Sequence, residues 1–247
     1  NQLSETGLRR IETSSFVSPK VIPQLCDHAQ VFESILRKPN VRYSALVPNV
    51  QGMHAALAAH IEEIAVFTAA SETFCQRNIH CTIEESLARF APVIQMAKTH
   101  HILIRGYISC VLGCPYEGLI DFEKTAALAQ TLLNMGCYEI SLGDTIGVGT
   151  PKQTQGLLDA VLSHIPPEKI AMHFHDTYGQ AIANIYASLQ CGIHIFDSAI
   201  AGLGGCPYAQ GATGNVATED VLYLMHGLGI ETDIDIFKIA QIGQDIC

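Results

Sequence analysis

The sequence predicts an α/β fold of the TIM (β/α)8-barrel type in which seven strands are visible. Short apolar, β-branched runs alternate with stretches of helical periodicity at about thirty-residue spacing, which is typical of parallel βαβ units. A length of 247 residues fits one such barrel. A doubly wound sheet would need a glycine fingerprint after its first strand, and none is present there. We therefore predict a single TIM-barrel catalytic domain over residues 1–247.

The predicted strands are 8–16, 41–49, 62–72, 101–110, 137–145, 169–177 and 193–202. A closed barrel of this type needs an eighth strand. The chain opens on "NQLSETGL", which reads as the end of a helix that leads into a strand. We therefore expect the first strand of the barrel to be absent from this chain and to precede Asn1. Unpaired sheet edges favour association, and we expect a homodimer.

Helical segments separate the strands and include 82–100, 121–136 and 180–192, with two more after Thr218. Thr82 and Thr218 each precede acidic residues, a pattern that is typical of helix N-termini. Gly136 and Gly192 stand where helices should end. These signals fix the alternation of helix and strand that the barrel prediction needs.

Composition excludes several classes of protein. Hydrophobic residues make up 48% and charged residues 15% of the chain, so a large core can form and disorder is disfavoured. The formal net charge of -10 argues against nucleic-acid binding, and no apolar run reaches the length of a membrane span. The nine cysteines are irregularly spaced, which indicates a reducing compartment rather than a disulfide framework.

Polar side chains cluster at the predicted carboxyl ends of strands, where TIM barrels place their chemistry. His173 and His175 lie two apart on one strand, so both imidazoles face the same side and could bind one metal ion. Glu12, Asp144 and Asn215 follow other strands or the glycine-rich loop. Imidazoles with oxygen ligands suit Mg²⁺ or Mn²⁺, and Zn²⁺ is possible. Taken singly, each carboxylate fits a local capping role equally well.

Two loops share a Cys-Pro-Tyr sequence, at 112–118 and 203–211. A rigid proline turn with an incidental thiol would explain either of them. The second loop is much richer in glycine and leads into a helix, so we predict that Cys206, rather than Cys114, is the functional thiol. We expect residues 202–214 to form a lid over the site.

Five segments spread along essentially the whole chain are distinctive: "IETSSFVSPK", "RGYISCVLGCPYEG", "YEISLGDTIGVGTP", "HFHDTYGQA" and "AGLGGCPYAQGATGN". On these segments the chain resembles the 3-hydroxy-3-methylglutaryl-CoA (HMG-CoA) lyase family. The Cys-Pro loop is the most specific element of the resemblance, while the His-x-His strand and "GDTIG" occur more widely among related metal-dependent barrel enzymes.

The resemblance implies cleavage of HMG-CoA to acetyl-CoA and acetoacetate, assisted by Mg²⁺ or Mn²⁺. It assigns metal ligation to His173, His175 and Asn215. It assigns catalytic roles to Cys206, His173, Asp144 and Glu12. It also places Asn78 near the CoA moiety of a small-molecule acyl-CoA substrate.

Two alternatives stay open. The first is a related barrel aldolase or a condensing enzyme that joins acyl-CoA and keto acids. The second is a truncated, catalytically inactive barrel, because the family's first strand carries an Arg-Asp pair that this chain lacks. The resemblance implies a cytoplasmic enzyme if the source is bacterial and a mitochondrial-matrix enzyme if it is eukaryotic.

Overall fold

A curled, seven-stranded parallel sheet organises the computed structural model, which describes residues 1–18, 22–205 and 214–247. The strands follow one another around the sheet in chain order, each parallel to its neighbours. Their bounds are β1 Arg10–Ser15, β2 Arg42–Leu46, β3 Glu63–Ala69, β4 Leu103–Ser109, β5 Glu139–Asp144, β6 Ile170–Phe174 and β7 Phe196–Asp197. Sequential parallel order is the topology of a TIM barrel, so the predicted α/β barrel-type fold is confirmed.

Helices connect successive strands along the chain. They are α1 His28–Ser34, α2 Val50–Ala58, α3 Glu72–Ile79, α4 Ile83–Thr99, α5 Phe122–Met135, α6 Pro151–Leu162, α7 Ala181–Gln190, α8 Thr218–Gly227 and α9 Ile236–Ile246. Thr82 caps α4 in a reciprocal pair with Glu85, and Gly136 ends α5 at φ +127°, as predicted. The cap expected at Thr218 is shifted by one residue, because Ala217 is the N-cap and the Thr218 hydroxyl pairs with Ser198 instead.

The two faces of the sheet differ in chemistry because side chains alternate along each strand. Even-numbered residues of the central strands are apolar and fully or almost fully buried against the helices; they include Ile104, Ile140, Leu142, Ile170 and Met172. Odd-numbered residues of the same strands share the inner face, where polar side chains dominate. The register pairs Arg105 with Glu139 and His173 with Asp197. The fold thus brings charged groups from several strands to one interior surface.

The last strand is shorter than the 193–202 run predicted from the sequence. Only Phe196 and Asp197 pair with β6, and the chain then enters a short 3-10 turn at Ile200–Gly202. Ala199 instead pairs with Ala217, which carries the chain towards α8. Among the residues described, no helix is long and apolar enough to cross a membrane.

Candidate active site

A cavity of about 680 Å³ opens on the interior of the curled sheet, and residues of all seven strands line it. Five residues singled out in the sequence lie on its wall: Glu12, Asn78, His173, His175 and Asn215. They come from four separate parts of the chain. The fold therefore assembles most of the predicted site in one place.

The two histidines lie side by side, with ring centroids 5.4 Å apart. His175 directly follows β6 and is 7% exposed, while the His173 side chain is 31% exposed to the cavity. Burial, and then the neighbouring His173, lowers the pKa of His175 to about 4, so its imidazole is neutral near pH 7. Its Nδ1 atom is buried and has no hydrogen-bond partner within the described part of the chain. A neutral imidazole with a free nitrogen is a metal-ligand type.

Backbone pairing places Asn215 beside the histidines. Its main chain forms an antiparallel bridge with His175, and its own N–H donates to the Gly204 carbonyl at 3.1 Å. The side-chain Nδ2 donates to the Leu203 carbonyl at 2.9 Å, which fixes the amide plane. Gly214 approaches so closely, at φ +93°, that a Cβ there would overlap the Gly204 carbonyl oxygen. The close packing of Gly214 against Gly204 therefore helps to fix the position of Asn215.

The donor set fits a hard divalent cation. Two imidazoles and an amide oxygen would leave such an ion most of its charge, and all three residues line the cavity. Across residues 1–18, 22–205 and 214–247, no group of three His, Cys, Asp or Glu side chains is arranged to hold a metal. The fit thus depends on Asn215 as the oxygen donor beside His173 and His175.

Asp197, which was not among the residues singled out from the sequence, occupies the centre of the polar wall. Its Oδ1 lies 2.8 Å from Arg105 Nη1, its Oδ2 accepts from the Ser141 hydroxyl at 2.6 Å, and His173 Nδ1 lies 3.4 Å from the same Oδ2. Burial alone would raise the pKa of Asp197, but Arg105 and then His173 outweigh it and hold that pKa well below its usual range. The signal was present in the sequence, because Asp197 follows the apolar run "IHIF" as Asp144 follows "EISLG".

Arg105 joins this wall to Glu12. It donates to the Tyr107 hydroxyl at 2.9 Å, and that hydroxyl donates to Glu12 Oε2 at 2.7 Å. Glu12 faces the open cavity, yet the protein atoms around it displace bulk water and raise its pKa, and the charge of Asp197 adds to that shift. A carboxyl with a raised pKa is closer to working as an acid or base near neutral pH.

Asp144 lies beneath the cavity rather than on its wall. Its carboxylate is fully buried and accepts from the backbone N–H of Gly149 at 2.8 Å and of Val148 at 3.2 Å. Burial outweighs these hydrogen bonds and raises the pKa of Asp144 to about 6. Gly143 and Thr145, on either side of it, do line the cavity. A direct catalytic role for Asp144 therefore stays a prediction.

The predicted thiol Cys206, with residues 206–213 of the predicted lid, lies outside the described residues. The rival thiol is described: Cys114 is buried, its Sγ lies 3.0 Å from the Ser71 hydroxyl, and its backbone pairs with Gly118 in a tight turn. That setting favours the structural explanation for the first Cys-Pro loop. Asn78 is exposed on α3 at the rim of the cavity.

Comparison with known protein families matches residues 1–246 to a family described as HMGL-like. The chain belongs to the HMGL-like family. It is 58% identical over its whole length to a Pseudomonas aeruginosa protein named 3-hydroxy-3-isohexenylglutaryl-CoA/hydroxy-methylglutaryl-CoA lyase, and it covers 82% of that protein. It is also 56% identical to the cytoplasmic 3-hydroxy-3-methylglutaryl-CoA lyase of Mus musculus, of which it covers 72%.

Solved structures of HMGL-like lyases share the architecture. The crystal structure of hydroxymethylglutaryl-CoA lyase from Pseudomonas aeruginosa superposes with a TM-score of 0.98 at 58% identity, covering all of this chain and 82% of the other. An HMG-CoA lyase from Acinetobacter baumannii, in complex with coenzyme A and 3-methylmalate, gives a TM-score of 0.95 at 37% identity, covering all of this chain and 80% of the other. The resemblance to HMG-CoA lyases seen in the sequence is therefore confirmed.

Proposed function

We propose that this HMGL-like chain cleaves HMG-CoA to acetyl-CoA and acetoacetate and that its cation is Mg²⁺ or Mn²⁺. The observation that carries the proposal is the convergence of His173, His175 and Asn215 on one cavity in a chain so similar to named HMG-CoA lyases. Lyases of this family are generally metal-dependent. Within the described residues, Nδ1 of the neutral His175 imidazole has no hydrogen-bond partner, which suits a ligand, and His173 and Asn215 would complete the donor set.

The reaction is a retro-Claisen cleavage of a tertiary alcohol. A base takes the hydroxyl proton, the C–O bond becomes a carbonyl, and the adjacent C–C bond breaks. Its electron pair passes into the thioester as an acetyl-CoA enolate, which then takes a proton at carbon. A divalent cation held by His173, His175 and Asn215 would lower the pKa of the alcohol and help to orient the substrate.

The residues on the cavity wall supply the proton-transfer groups. His173 is part-exposed to the cavity, and Glu12 carries a raised pKa on the opposite side of Arg105. We assign removal or return of a proton to His173, with Glu12 as an acidic group near the substrate. Cys206 is proposed to enter from its loop and to supply the proton that quenches the enolate. Closure of that loop would exclude water from the enolate.

The acyl-CoA substrate would enter across the rim that carries Asn78. An amide at the rim can hydrogen-bond the polar CoA moiety while the acyl end reaches the histidines. The relative from Acinetobacter baumannii was solved with coenzyme A, which supports a CoA ester as the ligand class here. The Pseudomonas aeruginosa relative is also named for a longer isohexenyl substrate. We propose HMG-CoA as the substrate and include the longer ester as a comparison.

Acetoacetate release tests the function directly. The purified chain is incubated with HMG-CoA and Mg²⁺ or Mn²⁺, and acetoacetate is measured through NADH consumption by 3-hydroxybutyrate dehydrogenase. We expect release that stops when EDTA is added. Condensation of acetyl-CoA with keto acids, in place of release, would favour the related condensing enzymes. Mn²⁺ binding without either reaction would favour the inactive barrel.

Two further expectations concern assembly and location. We propose a homodimer, and sedimentation velocity at micromolar protein concentration distinguishes it from a monomer. Relatives are named as cytoplasmic or mitochondrial proteins. We propose one of these two compartments, cytoplasm for a bacterial source and mitochondrial matrix for a eukaryotic one.

A further inference from the structure

Asp197 faces His173 from the neighbouring strand, at the centre of the polar wall. We propose that Asp197 is a positioning residue that holds Nδ1 of His173 and thereby turns Nε2 into the cavity. What Nε2 then meets, a divalent cation or a proton of the substrate, rests on the proposed function. The orientation of the His173 ring does not rest on the proposed function, because it follows from contacts within the chain.

The strand register creates the pair. β7 is two residues long, and its two pairings with β6 join Met172 to Phe196 and His173 to Asp197. Register partners on adjacent parallel strands point to the same face. The short β7 therefore sets Asp197 beside His173.

The carboxylate is clamped so that one oxygen faces the imidazole. Arg105 lies 2.8 Å from Oδ1, and the Ser141 hydroxyl donates to Oδ2 at 2.6 Å, the oxygen that also faces His173. One hydrogen bond from Ser141 and the close Arg105 guanidinium act on the two oxygens and oppose rotation of the carboxylate. Contacts to ionised groups are stronger than those between neutral ones.

Arg105 is itself fixed from its other end. Its Nε donates to Glu139 at 2.7 Å, and Glu139 is buried and also accepts two hydrogen bonds from Arg10. Arg105 starts on β4 and must cross the inner faces of β5 and β6 to reach Asp197. The inner residues beneath that path, Ser141 and Ala171, are register partners and are small. The clamp on Asp197 is thus built into three neighbouring strands.

The consequence is a defined tautomer of His173. A carboxylate only accepts hydrogen bonds, so the Nδ1 atom that faces it carries the proton and Nε2 keeps its lone pair. Carboxylates that orient a ligating histidine in this way fix its tautomer and ring angle, and their loss costs about 10–100-fold in metal affinity or activity.

Titration of the full chain with Mn²⁺, followed by electron paramagnetic resonance, measures the effect of Asp197→Asn without any turnover. We expect the Kd for Mn²⁺ to rise by about 10–100-fold. Asp233→Asn is the matched control, because Asp233 is exposed and pairs with Arg9 on the surface. Circular dichroism melts of both variants confirm that each is folded. An unchanged Kd in folded Asp197→Asn would overturn the proposal.

A double-mutant comparison separates positioning from a general loss of structure. If Asp197 acts through His173, then Asp197→Asn has no further effect on Mn²⁺ affinity in a His173→Ala background. An equal additional loss in that background would show that Asp197 acts independently of His173 and would refute the inference.

The tautomer gives a readout that needs no metal at all. Two-bond ¹⁵N–¹H correlation spectra of the histidine-labelled wild type should show His173 protonated at Nδ1, and Ser141→Ala should weaken that preference. A proton on Nε2 overturns the proposal, even if Asp197→Asn does not fold. A wild type that shows the Nδ1 proton and binds Mn²⁺ but releases no acetoacetate removes the proposed lyase function and leaves this inference standing.

Discussion

Alanine at Gly214 should disturb the site through the backbone rather than through any ligand. Gly214 adopts φ +93°, and a Cβ there would overlap the Gly204 carbonyl oxygen and lie 3.0 Å from its carbon. That oxygen is the acceptor for the N–H of Asn215, while the Gly214 carbonyl accepts from Asp176 at 2.8 Å. The loop therefore cannot shift without losing one of two hydrogen bonds that place Asn215.

The magnitude follows from two separable costs. A left-handed φ costs an L-residue about 1–2 kcal/mol, and the reduced freedom of the unfolded chain returns about 0.4–1 kcal/mol. Overlap with a packed backbone adds about 1–3 kcal/mol. Gly214→Ala should thus lower the free energy of unfolding by about 2–4 kcal/mol, which lowers Tm by at least about 4 °C in a chain of this size.

Two matched variants separate the cost of the left-handed φ from the cost of the steric overlap. Gly179 has φ +66° but no heavy atom within 4 Å of the place where a Cβ would lie, so Gly179→Ala should cost about 1 kcal/mol from φ alone. Gly227 ends α8 with open space and no positive φ, so Gly227→Ala should raise Tm by about 1–4 °C. Differential scanning calorimetry in EDTA ranks the Tm values of the three variants. Mn²⁺ titration then measures how each variant changes cation binding at the site. If Gly214→Ala is no less stable than Gly179→Ala, the steric argument is wrong.

Three other changes probe the site residues. Cys206→Ala should strongly reduce acetoacetate release while Mn²⁺ affinity stays nearly unchanged; unaltered turnover would remove the thiol from the mechanism. His175→Ala should weaken Mn²⁺ binding in isothermal titration, and normal affinity would contradict its ligand role. Asp144→Asn should flatten the pH dependence of the free energy of unfolding. The native pKa of Asp144 is raised to about 6, so the stability that its protonated form contributes is largely present at about pH 4. That contribution is lost as the pH rises through 6. Denaturant unfolding of the metal-free protein at pH 4, 5 and 6 should show wild-type stability falling relative to Asp144→Asn by about 2 kcal/mol over that range, and a constant difference would contradict the burial argument.

The sequence was sufficient to predict the barrel-type fold, because the alternation of strands and helices is set by local sequence patterns. Each predicted strand contains an observed one, and the cap at Thr82 and the stop at Gly136 lie where the sequence placed them. The error at β7 has a tertiary cause: residues after Asp197 are as apolar as a strand, but they turn to meet Ala217 instead of β6.

The sequence could predict which residues lie on or just after a strand. Glu12 lies in β1, His173 in β6 and His175 just after β6, and all three line one cavity. Asn215 joins them there through its bridge to His175. Strand position also selected Asp144, yet its carboxylate turns down to the N–H groups of Val148 and Gly149. Asp144 is an even-numbered residue at the end of β5, so alternation along the strand turns it away from the inner face, and its backbone hydrogen bonds hold it there.

The sequence by itself determined the strand order, the polar inner face and the family of this chain. Tertiary structure alone decided that Arg105 would lie between Asp197 on one side and Tyr107 and Glu12 on the other. Tyr107 and Glu12, for example, are 95 residues apart along the chain. Their meeting depends on the order and curl of the strands, which is not a local property of sequence.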